Sequence, residues 1–149
     1  YAAIRAFEGG DDIETYLTLS RAVLRALGRH AATVLSEAGT QLNHPKGGFY
    51  LFPDFTPVAD RLRSRGITSS AQLCEQLLND TGVATLPGVC FGRPSDELTL
   101  RLAYVDFDGA AALRGAAAAT TQLDESFLNT HCAPTMEAIR RMVEWLRQS

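Results

Sequence analysis

Arg101 is the residue whose type and place most demand a chemical explanation. It sits in the middle of the apolar run 98–105, on a face otherwise made of Thr99, Ala103 and Val105. A guanidinium cannot shed its proton to escape burial, so it must pair with an anion or reach water. Its planar fork suits two-point capture of a carboxylate. The alternative is an Arg at a sheet edge, snorkelling to solvent or paired with Asp54 or Asp106. Taken alone, the residue favours that plainer alternative.

The turn 45–48, Pro-Lys-Gly-Gly, stands directly before the aromatic run Phe49-Tyr50-Leu51-Phe52. Adjacent glycines permit unusual backbone angles or close approach to a ligand, although a plain hairpin turn explains them equally. Lys46 lies in this turn and is the only Lys beside thirteen Arg. A Schiff-base Lys needs a desolvated pocket that lowers its pKa, and a polar turn does not provide one. Gly82, Pro87, Gly88 and Gly92 punctuate a third segment, without a phosphate-loop, dinucleotide or nucleophile-elbow pattern. Cys74, Cys90 and Cys132 are odd in number and widely spaced, which makes a poor disulfide framework and fits free thiols in a reducing compartment. The three His are scattered, and no metal-ligand spacing is present. The residues themselves supply no self-contained catalytic set.

The chain has 149 residues, a length that suits one domain. Its 46% hydrophobic and 21% charged residues are ordinary for a globular fold. Basic residues number 14 against 17 acidic ones, a net charge of −3, which argues against nucleic acid as a partner. No signal peptide and no apolar stretch long enough for a membrane span is evident. A cytoplasmic location is the expectation. The chain opens at Tyr1, and 1–7 reads as the tail of a helix, so a preceding segment is expected.

These residues need elements to position them. Asp11 and Glu14 have capping-box spacing ahead of a long helix with apolar residues at helical period through Ala38, closed by Gly39. Gly28 inside it is read as a bend. A short strand is expected at 40–44 and a mostly buried strand at 49–52. A helix opens at Thr56-Pro57 and stops at Gly66. The next is capped by Ser69 or Ser70, carries Leu73, Leu77 and Leu78 on one side, and ends at Gly82. A strand at 83–86 follows, then the clearest strand at 98–105. Both of its faces carry apolar residues, so it belongs in the centre of the sheet. Helices at 110–119 and after Pro134 complete the chain. The expected fold is α+β: a small mixed or antiparallel sheet of about three to four strands, helices on one side, led by the long N-terminal helix.

Three segments then act together: HPKGGFYLFPD over 44–54, Leu77-Leu78 with GVATLPG over 82–88 and Phe91-Gly92, and LTLRLA over 98–103. In order and spacing they resemble the C-terminal small domain of class I/II aminotransferases, pyridoxal-phosphate enzymes of fold type I. The resemblance runs from Tyr1 to about Val105. It implies that 1–149 is this small domain, with 1–39 the helical entry from a large domain that is absent here.

The resemblance also implies roles. Arg101 matches the Arg that binds the substrate α-carboxylate, and Phe49 an aromatic position near the substrate. Tyr50 is expected to point away, since strand neighbours alternate faces. Gly47 and Gly48 would shape the cleft wall. The Schiff-base Lys and the other residues that hold pyridoxal 5'-phosphate belong to the large domain, so no catalytic, cofactor-binding or metal-binding residue is expected in 1–149. The implied activity is amino-group transfer between an amino acid and a 2-oxo acid, by a homodimeric full-length protein, with this part inactive alone. Two alternatives remain: an aminotransferase-like effector domain of a transcription regulator, and a lyase or decarboxylase of the same fold.

Overall fold

The computed structural model describes residues 1–120 and 122–148. α1 (Ala2–Glu8) and α2 (Asp11–Glu37) lead into β1 (Tyr50–Leu51). A 3-10 turn (Thr56–Val58) enters α3 (Ala59–Ser64), followed by α4 (Ser70–Thr81) and β2 (Leu86–Pro87). A second 3-10 turn (Gly88–Phe91) precedes β3 (Leu100–Ala103), and α5 (Gly109–Ala118), α6 (Glu125–His131) and α7 (Ala133–Arg147) end the chain. The sheet is antiparallel in the order β1-β3-β2. This is the expected α+β architecture with the 98–105 segment in the centre. Among the described residues no helix is long and apolar enough to cross a membrane.

One face of the sheet is closed. Leu98, Leu100, Leu102 and Tyr104 are buried, together with Leu51 opposite Leu102. α2 touches β1, and α4 touches β2 and β3. α7 lies across α2 and α4, and α5 and α6 fill in beside α2. Helix α2 contributes Val23, Leu27, Ala31, Ala32 and Leu35 to this core. Val23, Leu27, Ala31 and Leu35 are four apart, Ala32 lies beside them, and together they form one stripe. The fully buried stripe begins at Val23, with Leu19 packed against its edge, so the first two turns of α2 and all of α1 stand outside the core.

Several local expectations change. Asp11 is inside α2 and Gly10 is its N-cap, with no side-chain cap hydrogen bond, so the capping box does not form. At 40–44 only an isolated bridge, Gln41 to Asp54, replaces the strand. The strand at 83–86 shrinks to Leu86–Pro87. In 49–52 only Leu51 is buried, while Phe49, Tyr50 and Phe52 stay about two-fifths exposed. The reason is that the second sheet face has no helical layer over it. On β3 and just beyond it, likewise, Ala103 and Val105 are exposed. Leu78 is exposed although Leu73 and Leu77 are core. By contrast α4 follows the sequence closely: Ser69 Oγ accepts from Gln72 N, and Gly82 closes the helix at φ 74°.

Two features were not legible. α6 is a short helix capped by Asp124, whose side chain accepts from Phe127 N. Trp145 is fully buried and donates its Nε1–H to Asp80 Oδ2 at 2.6 Å, tying α7 to α4.

Candidate substrate-clamping site on the open sheet face

Cross-strand register decides which side chains share the open face. Leu86 lies opposite Arg101, and Tyr50 lies opposite Ala103. Opposed residues project to the same side of an antiparallel sheet, and so do residues two apart on one strand. Arg101, Ala103, Leu86 and Tyr50 therefore face one way, and Tyr50 is the diagonal neighbour of Arg101.

The guanidinium is held between two rings. Its carbon lies 4.3 Å from the centroid of Tyr50 and 4.5 Å from that of Phe91. Both distances are within cation–π range. Phe49 packs against Tyr50 in a tilted pair with ring centroids 4.4 Å apart, and Phe52 meets Phe91 edge-on at 5.8 Å. The result is an aromatic cradle open to solvent with one cation at its centre.

That geometry corrects the expectation for Tyr50, which points toward Arg101. Alternation along one strand says that neighbours differ in face, and it does not say which neighbour faces the site. Among the described residues the two rings over Arg101 are Tyr50 and Phe91, with Phe49 one ring further out. Phe91 had no assigned role, although Pro87-Gly88 before it and Gly92 after it mark a sharply turned segment.

The structure also speaks to the plainer reading of Arg101. Among the described residues it makes neither a salt bridge nor a side-chain hydrogen bond to protein. Asp54 spends Oδ1 on the backbone N–H and hydroxyl of Thr56. Asp106 forms no salt bridge among the described residues. Neither acid neutralises the guanidinium, so its hydrogen-bonding fork remains free while its faces are covered by rings.

Glycines build this site in a different way from that expected. Gly48 has φ 70°, a conformation that favours glycine, yet neither Gly47 nor Gly48 has any neighbour within 4 Å of where a Cβ would stand. The close approach occurs at Gly88, where a Cβ would lie 1.9 Å from Thr99 Oγ1. Gly88 N donates to Thr99 O at 2.9 Å, so this contact seats the 3-10 turn on β3 and places Phe91 over Arg101. Thr99 Oγ1 is buried beneath it without a hydrogen-bond partner.

No family model matches the chain. It is 31% identical to the aspartate aminotransferase of Bacillus sp. (strain YM-2) over 105 residues, 70% of this chain and 24% of that protein. It is 32% identical to the asparagine–oxo-acid transaminase of Streptococcus mutans over 104 residues, again 70% of this chain and 24% of that protein. In fold it is similar to the crystal structure of the aromatic aminotransferase of Pyrococcus horikoshii OT3, with a TM-score of 0.64 at 24% identity. That match covers 99% of this chain and 30% of the solved one. The chain is related to the C-terminal part of aminotransferases. It spans about a quarter of the length of the curated relatives it matches. Within this aminotransferase-like chain, Arg101 is, among the described residues, the one strand cation on the open face of the sheet, and Tyr50 and Phe91 are its immediate setting.

Proposed function

We propose that residues 1–149 are the small domain of an aminotransferase and that Arg101 binds the substrate α-carboxylate. The observation that carries this reading is a guanidinium with covered faces and a free fork, on an otherwise apolar open surface. A carboxylate entering that surface meets two parallel N–H donors of a guanidinium flanked by the Tyr50 and Phe91 rings. Two-point binding fixes the orientation of the substrate about its Cα, which is the positioning a transfer at that carbon requires. Tyr50 and Phe91 restrict the guanidinium to one plane, and Phe49 and Phe52 extend the apolar wall along the substrate side chain. The exposed N-terminal arm, α1 and the first turns of α2, is where the large domain joins.

Pyridoxal 5'-phosphate would supply the electron-withdrawing chemistry that amino-group transfer needs. The residues of this chain do not fit the part of the group that holds it. Lys46 is the only amine-bearing side chain and stands exposed on the 45–48 turn, where no apolar pocket surrounds it. On this reading, which rests on the likeness to aminotransferases, the Schiff-base Lys and the phosphate-binding set belong to the large domain, this part is inactive alone, and the working protein is a cytoplasmic homodimer. Arg101 acts on the substrate carboxylate only.

The test is amino-group transfer by the gene product that contains this chain, with several amino acid and 2-oxo acid pairs. Arg101→Ala is expected to raise KM and to lower kcat/KM by about 100-fold, the loss of two charge-assisted hydrogen bonds. Arg101→Lys is expected to recover little, because an ammonium cannot reproduce the fork. Unchanged kinetics in Arg101→Ala would refute the assignment. Product formation independent of a 2-oxo acid acceptor would point instead to lyase or decarboxylase chemistry. Absence of any turnover alongside specific DNA binding would point to a regulator.

A further inference from the structure

A second concavity, of about 590 Å³, lies where the 45–48 turn rests on the middle of α2. Gly28 makes this approach possible. A Cβ there would stand 2.7 Å from Tyr104 Oη and 2.9 Å from Pro45 Cγ. Gly28 is thus a site of close contact inside α2. Tyr104 Oη also donates to Gly48 O at 3.1 Å, which fastens the turn to β3.

The walls of the groove carry one sign of charge. Arg21, Arg25 and Arg29 recur every four residues along α2, and Lys46 stands on the turn across from them. The three arginines share one helix face and span about 12 Å along its axis. No Asp or Glu lines the groove among the described residues, and none of the four cations forms a salt bridge or a side-chain hydrogen bond there. Six other arginines do pair with acids: Arg5, Arg63, Arg65, Arg93, Arg140 and Arg141. Arg25 and Arg29 also border the adjoining hollow beside Asp124 and Glu125, yet no salt bridge closes, and Asp124 is engaged as the cap of α6. Four unneutralised cations lining one groove, in a chain of net charge −3, repel one another, and a bound anion reduces that repulsion.

We propose that this groove binds a small polyanion, a molecule with two or more phosphate or carboxylate groups. The arginine forks suit bidentate contact with either group, and their spacing offers separate anchor points to separate anionic groups. The volume is that of a small-molecule site. This inference stands apart from the role of Arg101.

Calorimetric titration of this chain with tripolyphosphate, citrate and orthophosphate, at constant ionic strength and without metal ions, tests it. Saturable one-to-one binding of tripolyphosphate or citrate is expected, tighter than that of orthophosphate. The two polyanions separate a preference for phosphate from one for carboxylate. Arg25→Gln with Arg29→Gln is expected to weaken binding about tenfold, each exposed cation contributing up to about fivefold. Arg63→Gln, on α3 and paired with Asp60, is the control and should bind as the parent does. Far-UV circular dichroism confirms that the variants are folded. Equal loss in the control, absence of saturation, or binding of polyglutamate but of neither small polyanion would overturn the proposal.

Discussion

Gly88→Ala measures the contact on which the site is built. The new Cβ would stand 1.9 Å from Thr99 Oγ1 and 3.1 Å from both Thr99 Cβ and Thr99 O. Ordinary heavy-atom contact is about 3.5 Å, so roughly 1.6 Å of overlap must be relieved. Gly88 donates its N–H to Thr99 O, which ties it down and limits how far it can retreat. Overpacking of this kind costs about 2–3 kcal/mol. At about 2–4 °C per kcal/mol for a chain of this size, the expected fall in Tm is about 4–12 °C. Urea unfolding followed by circular dichroism gives the free energy directly. The physical cause is isolated by Thr99→Ala, which removes the atom at 1.9 Å and leaves only the 3.1 Å contacts. Thr99→Ala alone should be close to neutral, because the loss of a buried methyl group, worth about 1 kcal/mol, is offset by removal of a buried hydroxyl that has no partner. On that background Gly88→Ala should cost less than about 1 kcal/mol. An equal cost on both backgrounds would refute the steric argument, and so would a cost below about 0.5 kcal/mol in the parent. Because Phe91 ends the 3-10 turn that Gly88 begins, the gene product carrying Gly88→Ala should show a raised KM with a smaller change in kcat.

Asp80→Ala should destabilise the chain by about 1–3 kcal/mol, since it strands the buried Trp145 Nε1–H, and a urea midpoint unchanged from the parent would contradict this. Hydrogen bonds from Arg140 and then Arg141 hold the Glu137 carboxyl down at about 2, below its ordinary 4.5. A carboxyl depressed in the folded state stabilises fully above its unfolded value and loses that contribution as pH falls from about 4.5 toward 2. Glu137→Gln should therefore flatten the acid limb of the stability profile in that window, and added salt should shrink the difference because the pairs are exposed. Burial pushes the Cys132 thiol up to about 11 and also raises that of Cys74, whereas Cys90 is exposed. Maleimide at pH 8 should label one thiol rapidly in the native chain and all three in urea, as read by intact mass, and rapid labelling of two in the native state would count against the buried placement.

What was legible in the sequence was set by local rules. Ser69 and Gly82 bracket α4 because a hydroxyl satisfies an orphan N–H at one end and a glycine accepts positive φ at the other. The even leucines of 98–102 mark the buried face of β3, and Arg101 stands out as a cation in mid-strand. Chemistry that depends on residue type could therefore be located, including the candidate clamp itself. α6 escaped notice because about two helical turns offer too short a period, and Trp145 because its ring is buried at the edge of the apolar stripe of α7.

The tertiary structure alone decided which residues surround Arg101. Alternation fixes that Tyr50 and Leu51 face opposite ways, but the pairing of Tyr50 with Ala103 and of Leu86 with Arg101 selects the face, and those partners are brought together from distant parts of the chain. The approach of Gly88 to Thr99 and of Gly28 to Tyr104 and Pro45 is of the same kind. A missing side chain is visible in a sequence. The atom that takes its space is known only when two remote segments pack, because packing is a property of their relative position and not of either segment alone.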